Sequence, residues 1–148
     1  MTEPTSPREI FERLISGISA GRWHELAALY AEDAVVQQPF AAPPAPSLEG
    51  REAIHAHFCA AANGPLELTA HNVVVHETTD PEVIIAEFDY LGRITTADRT
   101  FTVANIQVLQ VRDGMIVTTR DYHDHLALAH ATDRLPNLVA ALTAEHGS

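Results

Sequence analysis

The sequence predicts an α+β fold in which helices cover one face of a curved antiparallel sheet. Three helical stretches, broken by a short extended run and a proline-rich loop, occupy the chain as far as Ala62, and helical spacing returns near the C-terminus, whereas from Leu66 onward four long runs read as strands separated by turn residues. The last two runs meet at Asp113-Gly114, the dipeptide that best tolerates the positive φ angles of a tight hairpin turn. Such a sheet and its helices make a cone with a closed apolar end, and the open end is the natural place for a ligand.

Taken in order, Ser6-Pro7-Arg8-Glu9 has the form of a capping box with proline at the first helical position, so a helix begins there. Ile10, Phe11, Leu14, Ile15 and Ile18 follow at helical spacing, and Gly21 is its stop. A shorter helix carries Trp23, Leu26, Ala27, Leu29 and Tyr30, after which residues 31–38 turn extended. The prolines of residues 39–47 remove donors and fix φ, which predicts an ordered loop near a pocket mouth. Gly50 then precedes a third helix from about Arg51 to Ala62, with Ile54, Phe58 and Ala61 inward and Asn63-Gly64 ending it.

The strand runs are about Leu66 to Thr78, Glu82 to Thr95, Phe101 to Val111 and Met115 to His125. Alternation puts Ile84, Ala86, Phe88 and Tyr90 on the core face of the second, with Glu87 and Asp89 on the other. In the hairpin, Phe101, Val103, Asn105, Gln107, Leu109 and Val111 share one face of the first strand. Val117, Thr119, Asp121, His123 and His125 share one face of the second, so an acid, two amides and two imidazoles come from otherwise apolar strands. Asp133 can cap a last helix containing Leu135, Leu138, Val139 and Leu142, packed on the sheet or on a partner.

With 148 residues the chain is read as one domain spanning 1–148, with 46% hydrophobic and 20% charged residues as in an ordinary soluble protein. A net charge of -11 disfavours nucleic acid or an anionic membrane as a partner, because both need a positive footprint. The single cysteine, Cys59, excludes an intramolecular disulfide and reads as a buried, inert thiol. No apolar run approaches the roughly 20 residues of a membrane span. The opening MetThrGluProThrSerPro lacks the basic and apolar regions of a signal peptide, so a cytoplasmic location is expected. No phosphate loop, dinucleotide fingerprint or Ser-His-Asp signature is present.

Three segments carry a resemblance: LeuTyrAlaGluAspAlaVal at 29–35, LeuGluGlyArgGluAlaIle at 48–54, and ValArgAspGlyMetIleValThrThrArgAspTyr at 111–122. With the element order, they resemble the nuclear-transport-factor-2-like superfamily, which includes ketosteroid isomerases and SnoaL-like polyketide cyclases. The resemblance implies the NTF2-like cone, with the C-terminal helix as an addition. It leaves the reaction open, since this fold hosts isomerases, cyclases, dehydratases, epoxide hydrolases and proteins without known activity. Ketosteroid isomerases have a carboxylate base just before the proline that follows the first short strand, where this chain has Gln38, and an amide cannot take up and return a proton. Their oxyanion-hole tyrosine and protonated aspartate correspond to Leu14 and Gln107 here, so the usual steroid isomerase mechanism is not expected. The cyclases use an aspartate seven residues after the hairpin glycine, and Asp121 lies seven residues after Gly114. They also set polar side chains at the positions of Asn105 and Gln107, and a histidine where this chain has Thr119.

The expected function is therefore cofactor-independent acid/base catalysis of the cyclase, isomerase or dehydratase type, on a small hydrophobic carbonyl or polyketide-like substrate. Asp121 takes the proton α to a carbonyl; Asn105, Gln107 or Gln38 hydrogen-bonds the enolate; and His123 assists or reprotonates. Trp23, Tyr30, Phe40, Phe58, Phe88, Tyr90 and Thr119 complete the substrate-binding set. For Asp121 the plainer alternative is a solvated carboxylate paired with Arg120 or Arg93; for His123 it is a satisfied core or rim residue, for Asn105 and Gln107 satisfaction of buried backbone or of each other, and for the aromatic residues plain core.

Two other functions compete. A small-molecule-binding or accessory protein without turnover fits the missing isomerase residues, and a limonene-type epoxide hydrolase needs two aspartates and an arginine, which Asp121, Asp89 and Arg93 supply only if Asp89 faces inward. His123 and His125, two apart on a strand, invite a metal, but further ligands must come from Asp121 or His130, and the resemblance implies neither metal nor cofactor. The outer sheet face, with Ile106, Val108 and Ile116, is apolar enough to need covering, and the family commonly dimerises there, so a homodimer is expected.

Overall fold

The computed structural model describes residues 5–146. Ser6 caps the first helix, α1 (Pro7–Ser19), its Oγ accepting from the Glu9 amide at 3.3 Å, with Pro7 at the first turn. Gly21, at φ 74°, turns the chain out of it. A 3-10 helix (Trp23–Leu29) leads into β1 (Tyr30–Gln37), and the two-residue strand β2 (Leu48–Glu49) follows the proline-rich loop. Then come α2 (Arg51–Ala62), β3 (Leu66–Glu77), β4 (Val83–Ile94), β5 (Arg99–Arg112), β6 (Met115–His123), α3 (His125–Ala131) and α4 (Leu135–His146).

The six strands form one sheet in the order β2-β1-β6-β5-β4-β3, antiparallel throughout except for the parallel pair β1 and β6. α1 packs on β3, β4 and β5, while α2 packs on the 3-10 helix and β1. This is the expected α+β arrangement of helices over one face of a curved sheet. Between the layers lie Ile10, Phe11, Leu14, Ile54, Leu109 and Ile116, all nearly inaccessible, with the rings of Phe11 and Phe88 5.6 Å apart. Gly92 has a steric reason: a Cβ there would come within 2.2 Å of the Phe101 ring, which lies across β4.

Sheet register corrects the outer-face assignment of Ile116. Val111 pairs with Ile116 but Gln110 pairs with Thr118, so Val117 is an extra residue, a β-bulge. Ile116 therefore turns inward and is fully buried, alternation resumes with Thr119 inward, and Val117 borders a shallow hollow with Asp33, Val35 and Gln110 instead of joining the inner face. The last strand also ends earlier than expected. Asp124 accepts from the Ala127 amide at 3.0 Å and so caps α3, making His125 the first residue of a helix and not a strand neighbour of His123. Asp133 directs its carboxylate to Arg99 at 3.0 Å.

Among the described residues no helix is long and apolar enough to cross a membrane. Cys59, only partly buried, lies between His24 Nδ1 at 3.3 Å and His55 Nε2 at 3.4 Å.

Candidate active site

The inward faces of β5 and β6 meet residue against residue: Asn105 stands opposite His123, Gln107 opposite Asp121, and Leu109 opposite Thr119. Directly opposed side chains on one face lie within contact range, so register alone assembles the polar cluster. It opens into a cavity of about 460 Å³ between the sheet and the helices.

Asp121 is buried, and Gln107 Nε2 donates to its Oδ1 at 2.8 Å. Burial raises its carboxyl pKa to about 6, against the opposing pull of the Gln107 hydrogen bond, the nearby Thr119 hydroxyl and His57. No ion pair reaches this carboxylate among the described residues. The two arginines considered as partners are elsewhere: Arg93 bridges Glu67 and Asp98, and Arg120 is exposed on the outer face. Asp89 also faces outward, accepting from Asn72 Nδ2 at 3.0 Å, so it cannot join Asp121 around a water.

His123 Nδ1 and Asn105 Oδ1 are 2.6 Å apart. Both of Asn105's amide hydrogens go to main-chain carbonyls, Val103 at 3.0 Å and Phe88 at 3.4 Å. Its oxygen must then accept, so His123 carries its proton on Nδ1 and keeps Nε2 as the basic nitrogen. Burial, with help from the His57 charge, lowers the His123 pKa to about 4, so the ring is neutral near pH 7. Of the two roles expected of Asn105, its amide hydrogens take the plainer one, on buried backbone, and its oxygen orients His123.

Of the expected wall residues, Trp23, Tyr30, Gln38, Phe58, Phe88 and Tyr90 all line the cavity. Phe40 and Thr119 do not. Phe40 is 67% exposed because the chain turns at Gln38, whose carbonyl accepts from Ala41, and carries the ring to Tyr122 at 5.0 Å. Thr119 is fully buried and outside the cavity wall, its hydroxyl near the Asp121 carboxylate. Burial and the charge of Asp121 push the phenols of Tyr30 and Tyr90 well above their ordinary range, so both remain protonated donors.

Three further polar residues line the cavity: His57 and Arg134, which the sequence left without a role, and His125, which it set beside His123 and weighed as a metal ligand. His57 had a legible signal, since it falls at i+3 from Ile54 and next to Phe58 on the inward stripe of α2. Arg51 Nε, donating to the Tyr30 carbonyl at 2.9 Å, ties that helix to β1. Burial lowers the His57 pKa, with Asp121 pulling the other way. Strand alternation put His125 on the face of Asp121 and His123, although it opens α3, whereas Arg134, beyond the strand runs, gave no such signal. His125 sits 5.8 Å from His123, ring to ring, with Nε2 buried and unpartnered.

An α+β cone of helices over a curved sheet, with a buried carboxylate at the polar side of an apolar cavity, has the NTF2-like, ketosteroid-isomerase-like fold. The chain belongs to the SnoaL-like domain family, whose sequence profile matches residues 11–119. It is 33% identical over 117 residues to an uncharacterised PhzA/B-like protein of Pseudomonas aeruginosa, an alignment covering 77% of this chain and 79% of that one. Its fold is similar to the crystal structure of a candidate isomerase from Bacillus subtilis, with 25% identity, a TM-score of 0.80, and coverage of 86% and 93% of the two chains. A candidate polyketide cyclase from Xanthomonas campestris pv. campestris is similar in fold, at 17% identity and a TM-score of 0.73 over 84% and 95%.

Proposed function

We propose that this SnoaL-like protein is an enzyme that moves protons on a small, mostly apolar carbonyl compound without a cofactor, in a cyclisation, isomerisation or dehydration. The observation that carries the reading is Asp121: a buried carboxyl facing a cavity of about 460 Å³, held by one amide, with a pKa of about 6. A base with that pKa is ionised at neutral pH yet strong enough to accept a proton from carbon, which is what acid/base catalysis requires. Burying a carboxylate with no ion-pair partner costs stability, which a binding protein without turnover would spend only on a cationic or proton-donating ligand.

In this scheme Asp121 takes the proton from the carbon α to the carbonyl. The electron pair of that C–H bond moves to the carbonyl oxygen, giving an enolate. Tyr30 and Tyr90, protonated and lining the cavity, hydrogen-bond that oxygen along with Gln38, in the role first expected of Asn105. The proton returns to carbon from Asp121, and His123 Nε2 accepts or relays a second proton where the substrate needs one. Gln107 positions Asp121, and Asn105 positions His123. A cytoplasmic location and a homodimer closed over the outer sheet face belong to the same proposal; Val74, Leu91 and Ile106 stand exposed there.

The test is deuterium exchange of the α-protons of 2-tetralone, followed by NMR in D₂O. Wild-type protein should speed exchange above buffer, and Asp121→Asn should return it to the buffer rate. Equal rates above buffer remove Asp121 from the mechanism, and equal rates at the buffer level leave the binding-protein reading.

A further inference from the structure

We propose that the substrate carries a carboxylate, held by Arg134 at the mouth of the cavity, away from the carbon on which Asp121 acts. The inference rests on the acid/base reading of the cavity and names the substrate class more narrowly. Arg134 lines two cavities at once: the one containing Asp121, and a neighbour of about 510 Å³ bounded by Pro65, Ile94 and Ala97. Trp23, Ala61, Leu66, Leu68 and Arg134 belong to the walls of both, so the two adjoin along an apolar seam with one guanidinium on it. A ligand longer than the inner cavity extends across that seam.

The charge at this point is already prepared. All nine basic residues of the chain are arginines. Arg8, Arg22, Arg93, Arg99 and Arg112 are paired with carboxylates, Arg51 is spent on the Tyr30 carbonyl, and Arg13 and Arg120 are exposed and line neither cavity. Arg134 pairs with no acid among the described residues. Its neighbour Asp133 is the acidic group on the second cavity's wall, and that carboxylate is taken by Arg99 at 3.0 Å. The Arg134 side chain is also aimed. Its Nε donates to Thr132 Oγ1 at 3.0 Å, and the Thr132 hydroxyl donates to the Leu128 carbonyl at 2.8 Å. The two terminal nitrogens are left with their hydrogens, the fork that matches a carboxylate. In a chain of net charge -11, an unpaired guanidinium on an apolar rim is the feature that would select an anion.

Trp23, the single tryptophan, lies in both walls and reports binding by fluorescence. The probes are 4-cyclohexylbutanoate and its uncharged amide, titrated at low and high salt. Wild-type protein should bind the acid at least ten-fold more tightly than the amide, with the difference shrinking in salt. Arg134→Gln should bind both equally, its affinity for the amide unchanged, and Arg134→Lys should keep part of the preference, which excludes a folding defect. Wild-type protein that keeps the preference for the acid but does not speed 2-tetralone exchange above buffer sinks the catalytic reading and not this one. The proposal is overturned by equal binding of acid and amide to wild type, by a preference that survives in Arg134→Gln, or by no binding of either probe.

Discussion

Gln107 Nε2 donates to Asp121 Oδ1 at 2.8 Å, between two residues that stand directly opposite each other across β5 and β6. A bond to the charged form favours ionisation, so it holds the carboxyl below where burial alone would leave it. Replacing Gln107 with Leu should move the acid limb of the pH–rate profile upward by about one pH unit, since hydrogen bonds to charged groups contribute about 1.5–3 kcal/mol. An unmoved profile with reduced turnover would mean that Gln107 meets the substrate instead.

Asp121 itself should cost stability at neutral pH. Its folded pKa, about 6, exceeds the ordinary 3.8, so the folded state is favoured most below pH 3.8 and loses that advantage as pH rises through 6. Asp121→Asn should therefore unfold at higher denaturant than wild type at pH 7.5, by up to ~3 kcal/mol, with the gain vanishing near pH 4. Turnover should fall by about 10²-fold or more in the same variant. Denaturant titrations at the two pH values separate the two effects.

His123 has the opposite sign. Its folded pKa, about 4, lies below the ordinary 6.5, so stability is present above pH 6.5 and lost as pH falls toward 4. In His123→Gln the difference in unfolding free energy between pH 7 and pH 4.5 should shift by about 2–3 kcal/mol toward acid tolerance. No change in that difference would show that the imidazole is solvated in solution.

Exposed Ile106, with Val74 and Leu91 on neighbouring strands, supports an outer-face dimer. Light scattering at micromolar concentration should give twice the chain mass, and Ile106→Glu should give the monomer with its fold intact. A monomeric wild type removes the dimer from the proposal.

Much of the site was legible because a strand's alternation is rigid. Once Asn105 and Gln107 were placed inward with Val103 and Leu109, their burial followed, and the interval from Gly114 picked out Asp121. What failed were features that break alternation or lie beyond it. Val117 put Ile116 into the core, a turn at Gln38 carried Phe40 outside, and the Asp124 cap made His125 helical. Facing inward also proved different from reaching the cavity, as Thr119 shows: it faces inward but lies outside the cavity wall. For Asn105 the sequence left two roles open, a ligand contact or the satisfaction of buried backbone, and only packing shows its amide hydrogens on the Val103 and Phe88 carbonyls.

Ile116 fills the core and Asp121 faces the cavity, yet they are five residues apart, an odd interval that a regular strand places on opposite faces. The two halves of β6 run out of phase, and Val117 is where the phase is reset. Loss of one residue between Ile116 and Asp121 should thus leave both facing inward, whereas loss of Tyr122 alone should turn His123 outward. The seven-residue interval from Gly114 to Asp121, read in the sequence as a motif, is the linear trace of that reset. Relatives with a regular last strand are expected to carry their acid an even number of residues beyond the position of Ile116.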